Sequence, residues 1–409
     1  MSYSAPAGDS TPAGDSTPAD DPTPTGDSTP NGDSALTGND LDVLCFATQG
    51  PDSGDHQRIA YLLDPLGPRF LDVHRHRKTD LPRTLLREIG RRRPDVVVLE
   101  GTGVAGGVAV MAARLLRGVP YLVSSGDAVA PFLRTFDPRL GLPARLYERS
   151  LCRLCAGYIG WSPYLVGRAL SLGAPRGATA AHFSRGHPSP GAREAVRTRL
   201  GIPPEAIVIG IAGSIRLNVR LGYSYGVELI RALRLTTRPE LRVLIVGDGT
   251  GLENLVALAG DELGRRVLLP GRCPPEEVAD HLAAMDIGAL SQSTDVLGSM
   301  RYTTKLPEYV AAGLPVVATE VPVAYDLDTG WLWRLPGDAP WHEDHIVALS
   351  QFMQTVTREE IARKAACVPR DPPVFSAELQ QQRVCALVRE ATARSARAPA
   401  GREPETLGA

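Results

Sequence analysis

The stretch RYTTKLPEYVAAGLPVVAT, residues 301–319, runs from a short helical pattern through a Gly-Leu-Pro turn into an apolar, β-branched run. A continuous apolar run directly behind an amphipathic helix is the pattern of a parallel strand buried on both faces. The same stretch holds Lys305, one of three lysines (with Lys78 and Lys364) in a chain of 41 arginines. Where arginine is the default cation, a lysine kept here suggests a task for a compact ammonium rather than a planar fork. With the helix beginning near Thr303, a phosphate docked at its start would meet unpaired N–H groups of Thr303 and Thr304, their hydroxyls and the Lys305 ammonium. Glu308 stands one turn along the same face, where a carboxylate can accept hydrogen bonds from vicinal hydroxyls such as those of a ribose. The plainer alternative is an exposed Lys–Glu pair, which stabilises little and fits poorly on a helix leading into a buried strand.

Outward from this stretch the alternation repeats. LDVLCFATQG, PDVVVLEG and PYLVSS read as strands before residue 130, with helices DHQRIAYLLDPL and GGVAVMAARLLRG between them. A second set follows: strands IVIGIAG, LRVLIVGDG, RVLLPG, DIGALSQS and LPVVATEV, separated by helical segments. Apolar runs alternating with amphipathic helices predict an α/β chain with two doubly wound parallel sheets. A chain of 409 residues also exceeds what one core usually serves. The expected division is a disordered tail over 1–40, a Rossmann-like domain over 41–190, a second over 191–395 and a loose end over 396–409. A Gly/Pro-rich, aperiodic stretch, GAPRGATAAHFSRGHPSPGAREAVRTRLGIPPEA, marks the boundary. The long helix around AELQQQRVCALVREATAR is placed so that it could pack across both domains.

Composition narrows the classes. GDSTP recurs at 8–12, 14–18 and 26–30, in a segment with almost nothing apolar to bury. It holds seven Asp and no basic residue, so the formal charge of −2 divides into −7 for the tail and +5 for the rest. The segment lacks the basic start and apolar stretch of a secretory leader, and no apolar run reaches bilayer-spanning length. The expected location is the cytoplasm, with peripheral contact at the inner face of the membrane. The six cysteines form no framework; Cys152 and Cys155 lie in a helical-looking segment without a second pair to complete a zinc site. His342, Glu343, Asp344 and His345 read as a helix start, and no metal is expected. EGTGVAGG and VGDGTG imitate a dinucleotide fingerprint, but the first lacks the acidic residue about 20 positions on; their glycines are read as tight turns and close packing. In QGPDSGDHQ, Gly50 and Gly54 would let amides approach an anion at a helix start, and an ordinary turn is an equal reading. Trp331 and Trp333 read as core packing. The basic run over residues 69–93, with His74 and His76, would suit an anionic membrane or a phosphate-bearing acceptor, and a solvated helix face is the commoner reason for such a run. Nothing points to nucleic acid.

TKLPEYVAAGLPVVAT resembles the donor-site signature of the GT-B-fold glycosyltransferases of family 4, and IVIGIAGSIR, LRVLIVGDGTGLENL and RVLLPGRCPPEEVADHLAAMDIGAL fall in that family's order. The resemblance implies two Rossmann-like domains facing a cleft and retaining transfer of a sugar from a nucleotide diphosphate, a UDP-sugar being expected. It implies no bound metal or cofactor beyond that donor co-substrate. The acceptor would be a small molecule or lipid-linked, in specialised-metabolite or glycolipid biosynthesis. Glu308 would hold the ribose; Thr303 and Thr304 would present amides to the diphosphate beside Lys305; Gly271 and Arg272 match the loop that holds the base. The chain departs from the pattern in three places. Tyr225 stands where a lysine is usual, leaving Arg216 and Arg220 as the available cations, with Arg216 preferred; either could be a solvated loop arginine. Met300 stands where the first glutamate of the E-x7-E pair is usual. Ser124, Ser125, Gly126 and Asp127 replace a histidine; Asp127 is the substitute for contact with sugar or acceptor, or else a helix N-cap. Asp127, Arg216 and Lys305 are therefore the expected catalytic set, and Gly54, Arg220, Gly271, Arg272, Thr303, Thr304 and Glu308 the expected donor-binding set. Alternative functions are a nucleotide-sugar 2-epimerase and a non-catalytic nucleotide-sugar-binding partner.

Overall fold

A computed structural model describes residues 41–48, 50, 53–72, 80–184 and 186–397. The expected tail over 1–40, part of the basic run and most of the loose end lie outside the described residues.

Six parallel strands form the first sheet: β1 (Val43–Ala47), β2 (Arg69–Phe70), β3 (Val96–Glu100), β4 (Tyr121–Ser125), β5 (Gly157–Gly160) and β6 (Gly177–Thr179), in the order β2-β1-β3-β4-β5-β6. Six more form the second: β7 (Ile207–Ala212), β8 (Leu241–Val246), β9 (Val267–Gly271), β10 (Ile287–Leu290), β11 (Val316–Thr319) and β12 (Leu332–Leu335), in the order β12-β11-β10-β7-β8-β9. In the central strands the apolar run divides by the period of two between two covered faces. Ile207, Ile209 and Ile211 enter one core layer, whereas Val208 and Ala212 enter the opposite one. Likewise Val43 and Cys45 face one side of the first sheet, Leu44 and Phe46 the other. The two doubly wound sheets expected from the alternation are thus what the chain forms.

The strand order reverses between β1 and β3 in the first sheet and between β7 and β10 in the second. Crevices open at the carboxyl ends of strands where this reversal occurs, because successive connections leave to opposite faces. The helix Lys305–Ala311 is the next α-helix after β10, beyond the short turn Gly298–Met300, and begins at the second crevice. The stretch 301–319 folds as read, except that the helix begins at Lys305, with Thr304 as its N-cap.

The last helix, Ala377–Arg397, packs on the first lobe. Val384, Cys385, Leu387 and Val388 join Ile59, Leu62 and Leu63 of helix Gly54–Leu63 in covering one face of the first sheet. The last helix lies along helix Gly54–Leu63 and against β5 and β6. Residues 377–395, assigned from sequence to the second domain, are in space part of the first. Among the described residues no helix is long and apolar enough to cross a membrane.

Candidate functional site

A cavity of about 400 Å³ lies at the carboxyl edge of the second sheet, lined by Ala212, Gly213, Ser214, Arg272, Thr304 and Glu308, with the Val246–Gly249 turn opposite. Its shape follows from backbone packing. The Gly213 N–H donates to Val246 O and the Ile215 N–H to Asp248 O, both at 2.9 Å, tying the turns after β7 and β8 together. Side chains at Gly247 and Gly249 would collide with this backbone: a Cβ would fall 1.9 Å from Gly213 O and 2.4 Å from Ile215 O, respectively. Both also have positive φ, +145° and +150°. These glycines build the wall by close approach, as the packing reading of VGDGTG held.

Lys305 is buried, 8 % exposed, yet its ammonium lies beneath this wall: a Cβ on Gly213 would be 3.4 Å from Nζ. The same ammonium sits 4.1 Å from the centre of the Tyr225 ring. The aromatic residue that replaces the usual lysine therefore offers the remaining one a π face, an attraction worth about 1–2 kcal/mol when desolvated. Glu308 and Thr304 line the cavity itself. The Thr303 hydroxyl is buried with no hydrogen-bond partner among the described residues. Gly271 ends β9 and its carbonyl accepts the Gly247 N–H at 2.8 Å, placing exposed Arg272 at the cavity rim.

Other candidates lie elsewhere. Arg220 reaches the first lobe, donating to the carbonyls of Thr135 (3.0 Å) and Phe136 (2.6 Å) at the end of helix Val129–Phe136. A cation there satisfies orphan carbonyls and the helix dipole, which leaves this guanidinium away from the donor cavity. Arg216 is exposed on the loop after β7 and does not line the cavity. Gly54 is the exposed first residue of its helix, whose cap is Ser53, accepting the His56 N–H at 3.1 Å.

Asp127 pairs with Arg301 across the gap between lobes. It is not the helix cap: the Val129 N–H donates to buried Glu148 at 3.1 Å instead. Burial works against the Arg301 charge, but Asp127 outweighs it and holds the guanidinium above its ordinary pKa; Tyr225 is also within electrostatic reach. Neighbouring Met300 packs against the first-lobe core, and its carbonyl accepts the Ser162 hydroxyl at 2.5 Å. Tyr164 of the first lobe and Tyr302 of the second both donate to Asp326, at 2.5 and 2.9 Å. The residue that departs from the glutamate pattern thus helps to join the lobes.

Beneath Asp127 lies a buried pair that sequence reading missed. Arg58 donates to Glu100 and to the Ser124 hydroxyl, each at 3.3 Å, and to backbone carbonyls of Ala180 and Ala181, while its guanidinium lies 4.7 Å from the Trp161 ring centre. Burial pushes the Glu100 carboxyl up to about 7 against the pull of Arg58. Asp55, at the same edge, is raised by burial and by Asp127, with Arg58 lowering it. The signal was present: Arg58 interrupts an apolar helix face and Glu100 ends an apolar strand.

Among the described residues no three His, Cys, Asp or Glu side chains come together as a metal group. Cys152 and Cys155 are buried thiols, both pushed up by burial, Cys155 to about 12. His342 caps helix Glu343–Thr355, Glu343 pairs with Arg231 at 2.6 Å, and His345 is buried. Trp331 is fully buried, and the half-buried Trp333 donates to Glu360 at 2.6 Å. A larger cavity, about 600 Å³, opens beside Arg193, Asp286 and Arg358. Arg193 and Arg197 both pair with Asp286 there, at the amino edge of the sheet and away from the crevice.

Residues 206–351 match the family described as Glycosyl transferases group 1. Over 141 residues the chain is 33% identical to a D-inositol 3-phosphate glycosyltransferase of Stackebrandtia nassauensis, covering 32% of this chain and 30% of that protein. The chain therefore matches less than a third of that relative's length. Solved structures resemble it over far more. Anabaena HepE in complex with UDP and glucose aligns with TM-score 0.60 at 16% identity, over 87% of this chain and all of that one. The sucrose-phosphate synthase of Thermosynechococcus elongatus aligns at 0.59 and 14% identity, over 87% and 98%. A putative UDP-N-acetylglucosamine 2-epimerase from Listeria monocytogenes aligns at 0.55 and 12%, over 86% and 96%. At these identities the likeness is one of fold. The chain thus carries a group 1 glycosyltransferase match over residues 206–351, set in a GT-B frame that extends through both lobes.

Proposed function

We propose that the protein is a retaining glycosyltransferase that takes a sugar from a nucleoside diphosphate, a UDP-sugar being the expected donor. The acceptor is a small molecule or lipid-linked, presented by the first lobe. The observation that carries this reading is Lys305, an ammonium sequestered beside Gly213 at a crevice whose wall also holds Thr304 and Glu308. Negative charge grows on the diphosphate as the glycosidic bond breaks, so a cation already fixed there lowers the barrier without reorganising. Side-chain cations supply that charge in this reading, with no metal assigned. Glu308 accepts the ribose hydroxyls, the rim at Gly271 and Arg272 faces the base, and the backbone amides of Thr303 and Thr304 face the diphosphate. The UDP-bound structural relatives and the group 1 match support the donor class.

A second reading has one observation in its favour. The Asp127–Arg301 pair and Met300 join the lobes beside the crevice, an arrangement that also suits a protein that binds a nucleotide sugar without transferring it. Thermal-shift measurements with a panel of UDP- and GDP-sugars, followed by mass spectrometry of donor and acceptor extracts, separate the cases. Transfer to an acceptor supports the enzyme. Stabilisation without turnover supports the binding protein, and donor isomerised without acceptor supports an epimerase. No response to any nucleotide sugar refutes the donor site itself.

A further inference from the structure

The first lobe presents a surface that its own folding does not use. Helix Gly141–Leu154 is anchored through its inner face, where buried Glu148 accepts two hydrogen bonds from Arg168 (2.8 and 2.6 Å), and Leu151 and Cys152 enter the core. Its outer face carries Leu142, Arg145, Leu146, Arg149 and Arg153, spaced by three and four residues and so aligned along one side. All five are exposed, Leu142 at 68% and Leu146 at 56%. The preceding turn, Pro138–Leu140, continues the same composition with exposed Arg139 and Leu140, and Phe136, 62% exposed, ends the helix before it. Of the two carboxylates in residues 136–154, Glu148 is turned inward and Asp137 accepts the Arg139 N–H at 2.9 Å. The face adjoins the gap between lobes, since Arg220 of the second lobe donates to the carbonyl of Phe136 itself.

Apolar and basic side chains interleave here along a single stripe. Protein interfaces also enrich arginine and phenylalanine, but around a core otherwise depleted of charge, whereas here four arginines are spread among the apolar side chains along the whole stripe. A lipid surface instead stacks anionic headgroups and acyl chains within a few ångströms of each other, which suits leucines and arginines side by side on one helix. We propose that this face seats the first lobe on an anionic bilayer, with Phe136, Leu142 and Leu146 entering the headgroup–acyl boundary and Arg139, Arg145, Arg149 and Arg153 lying against lipid phosphates. The surface is distinct from the basic run over 69–93 and does not depend on the donor site.

The test is co-sedimentation of the full chain with phosphatidylcholine vesicles, with and without phosphatidylglycerol. Capture is expected only with the anionic lipid and should fall as salt rises. Arg145→Gln with Arg149→Gln should weaken partitioning about fivefold per arginine, the equivalent of ~1 kcal/mol each. Leu142→Ser with Leu146→Ser should weaken it at least tenfold; both double variants should keep the wild-type unfolding transition, because these side chains point away from the core. As a control, Arg83→Gln with Arg87→Gln, in helix Leu81–Arg92, should bind as the wild type does. The proposal is overturned if the chain ignores anionic vesicles, if both face variants bind unchanged, or if the control variant alone abolishes capture. A dimer that the leucine variant dissolves would overturn it too, by making the face a contact between two copies.

Discussion

Replacing Asp127 with Asn tests whether the ion pair with Arg301 sets the separation of the two lobes. The partners are 22% and 31% exposed in their side chains, so they are neither fully screened nor dry. At contact, an effective dielectric of about 20 gives a gross attraction of ~5 kcal/mol. Partial desolvation and residual screening reduce this to a net coupling of about 1–2 kcal/mol. Asp127→Asn alone should cost more, about 2–3 kcal/mol, because it leaves a largely enclosed guanidinium without its counter-charge. The joined arrangement should then lose about 30-fold or more against a parted one. The double variant Asp127→Asn, Arg301→Gln should recover part of that loss. Small-angle scattering and lobe-to-lobe fluorescence energy transfer would read the separation, and urea unfolding of the four proteins would close the thermodynamic cycle. Unchanged lobe spacing in Asp127→Asn, or no coupling in the cycle, would refute the argument. If spacing is unchanged but turnover is lost, Asp127 acts on substrate directly.

Further outcomes follow from the same geometry. Lys305→Met should lower donor-dependent turnover at least tenfold, as expected when a charge-assisted contact to a phosphate is removed. Lys364→Met should stay near wild type in the same assay, since that ammonium is spent on the carbonyls of Gly330 and Leu332; equal losses would remove the special role of Lys305. Glu308→Gln should raise the donor KM several-fold with a smaller change in kcat, measured by initial rates across donor concentrations; an unchanged KM would take the ribose from it. Stability should depend on Glu100. Its folded carboxyl is pushed above the ordinary value, from 4.5 to about 7, so the unfolded chain releases the proton first. Stability should therefore fall as pH rises from about 4.5 to about 7 and level off above, with a slope of at most ~1.4 kcal/mol per pH unit from this group. Urea midpoints across that range should show the fall, and Glu100→Gln should flatten it; an identical slope in the variant would acquit this carboxyl.

The strands could be read from the chain because a parallel strand buried on both faces leaves an unbroken apolar run, as in VVVLE or LRVLIV. The helix–strand stretch 303–319 was legible for the same reason, and Lys305 stood out only against a background of arginines. Short strands such as β5, GYIG, and β2, RF, gave no such run, since glycine and edge positions dilute the signal. The lobe-joining residues could not be found this way. Asp127 and Arg301 are 174 positions apart, and nothing local distinguishes an aspartate awaiting a distant guanidinium from one awaiting a helix amide or a sugar. Arg220 posed the same difficulty: its loop follows β7 as expected, but the carbonyls that hold it belong to the other lobe. Arg58 and Glu100 were readable in principle, as charges set among residues that periodicity sends inward.

The return of helix Ala377–Arg397 to the first sheet has a consequence for how the protein is made. When a ribosome has released residues 41–190, the strands of that lobe exist, but the layer that Val384, Cys385, Leu387 and Val388 will cover is still bare. The second lobe, whose sheet and flanking helices end before residue 370, is complete in the nascent chain before the first can close. A second lobe ended before the terminal helix should accordingly be soluble alone, whereas residues 41–190 alone should be sticky and should be rescued by supplying the terminal helix as a separate peptide.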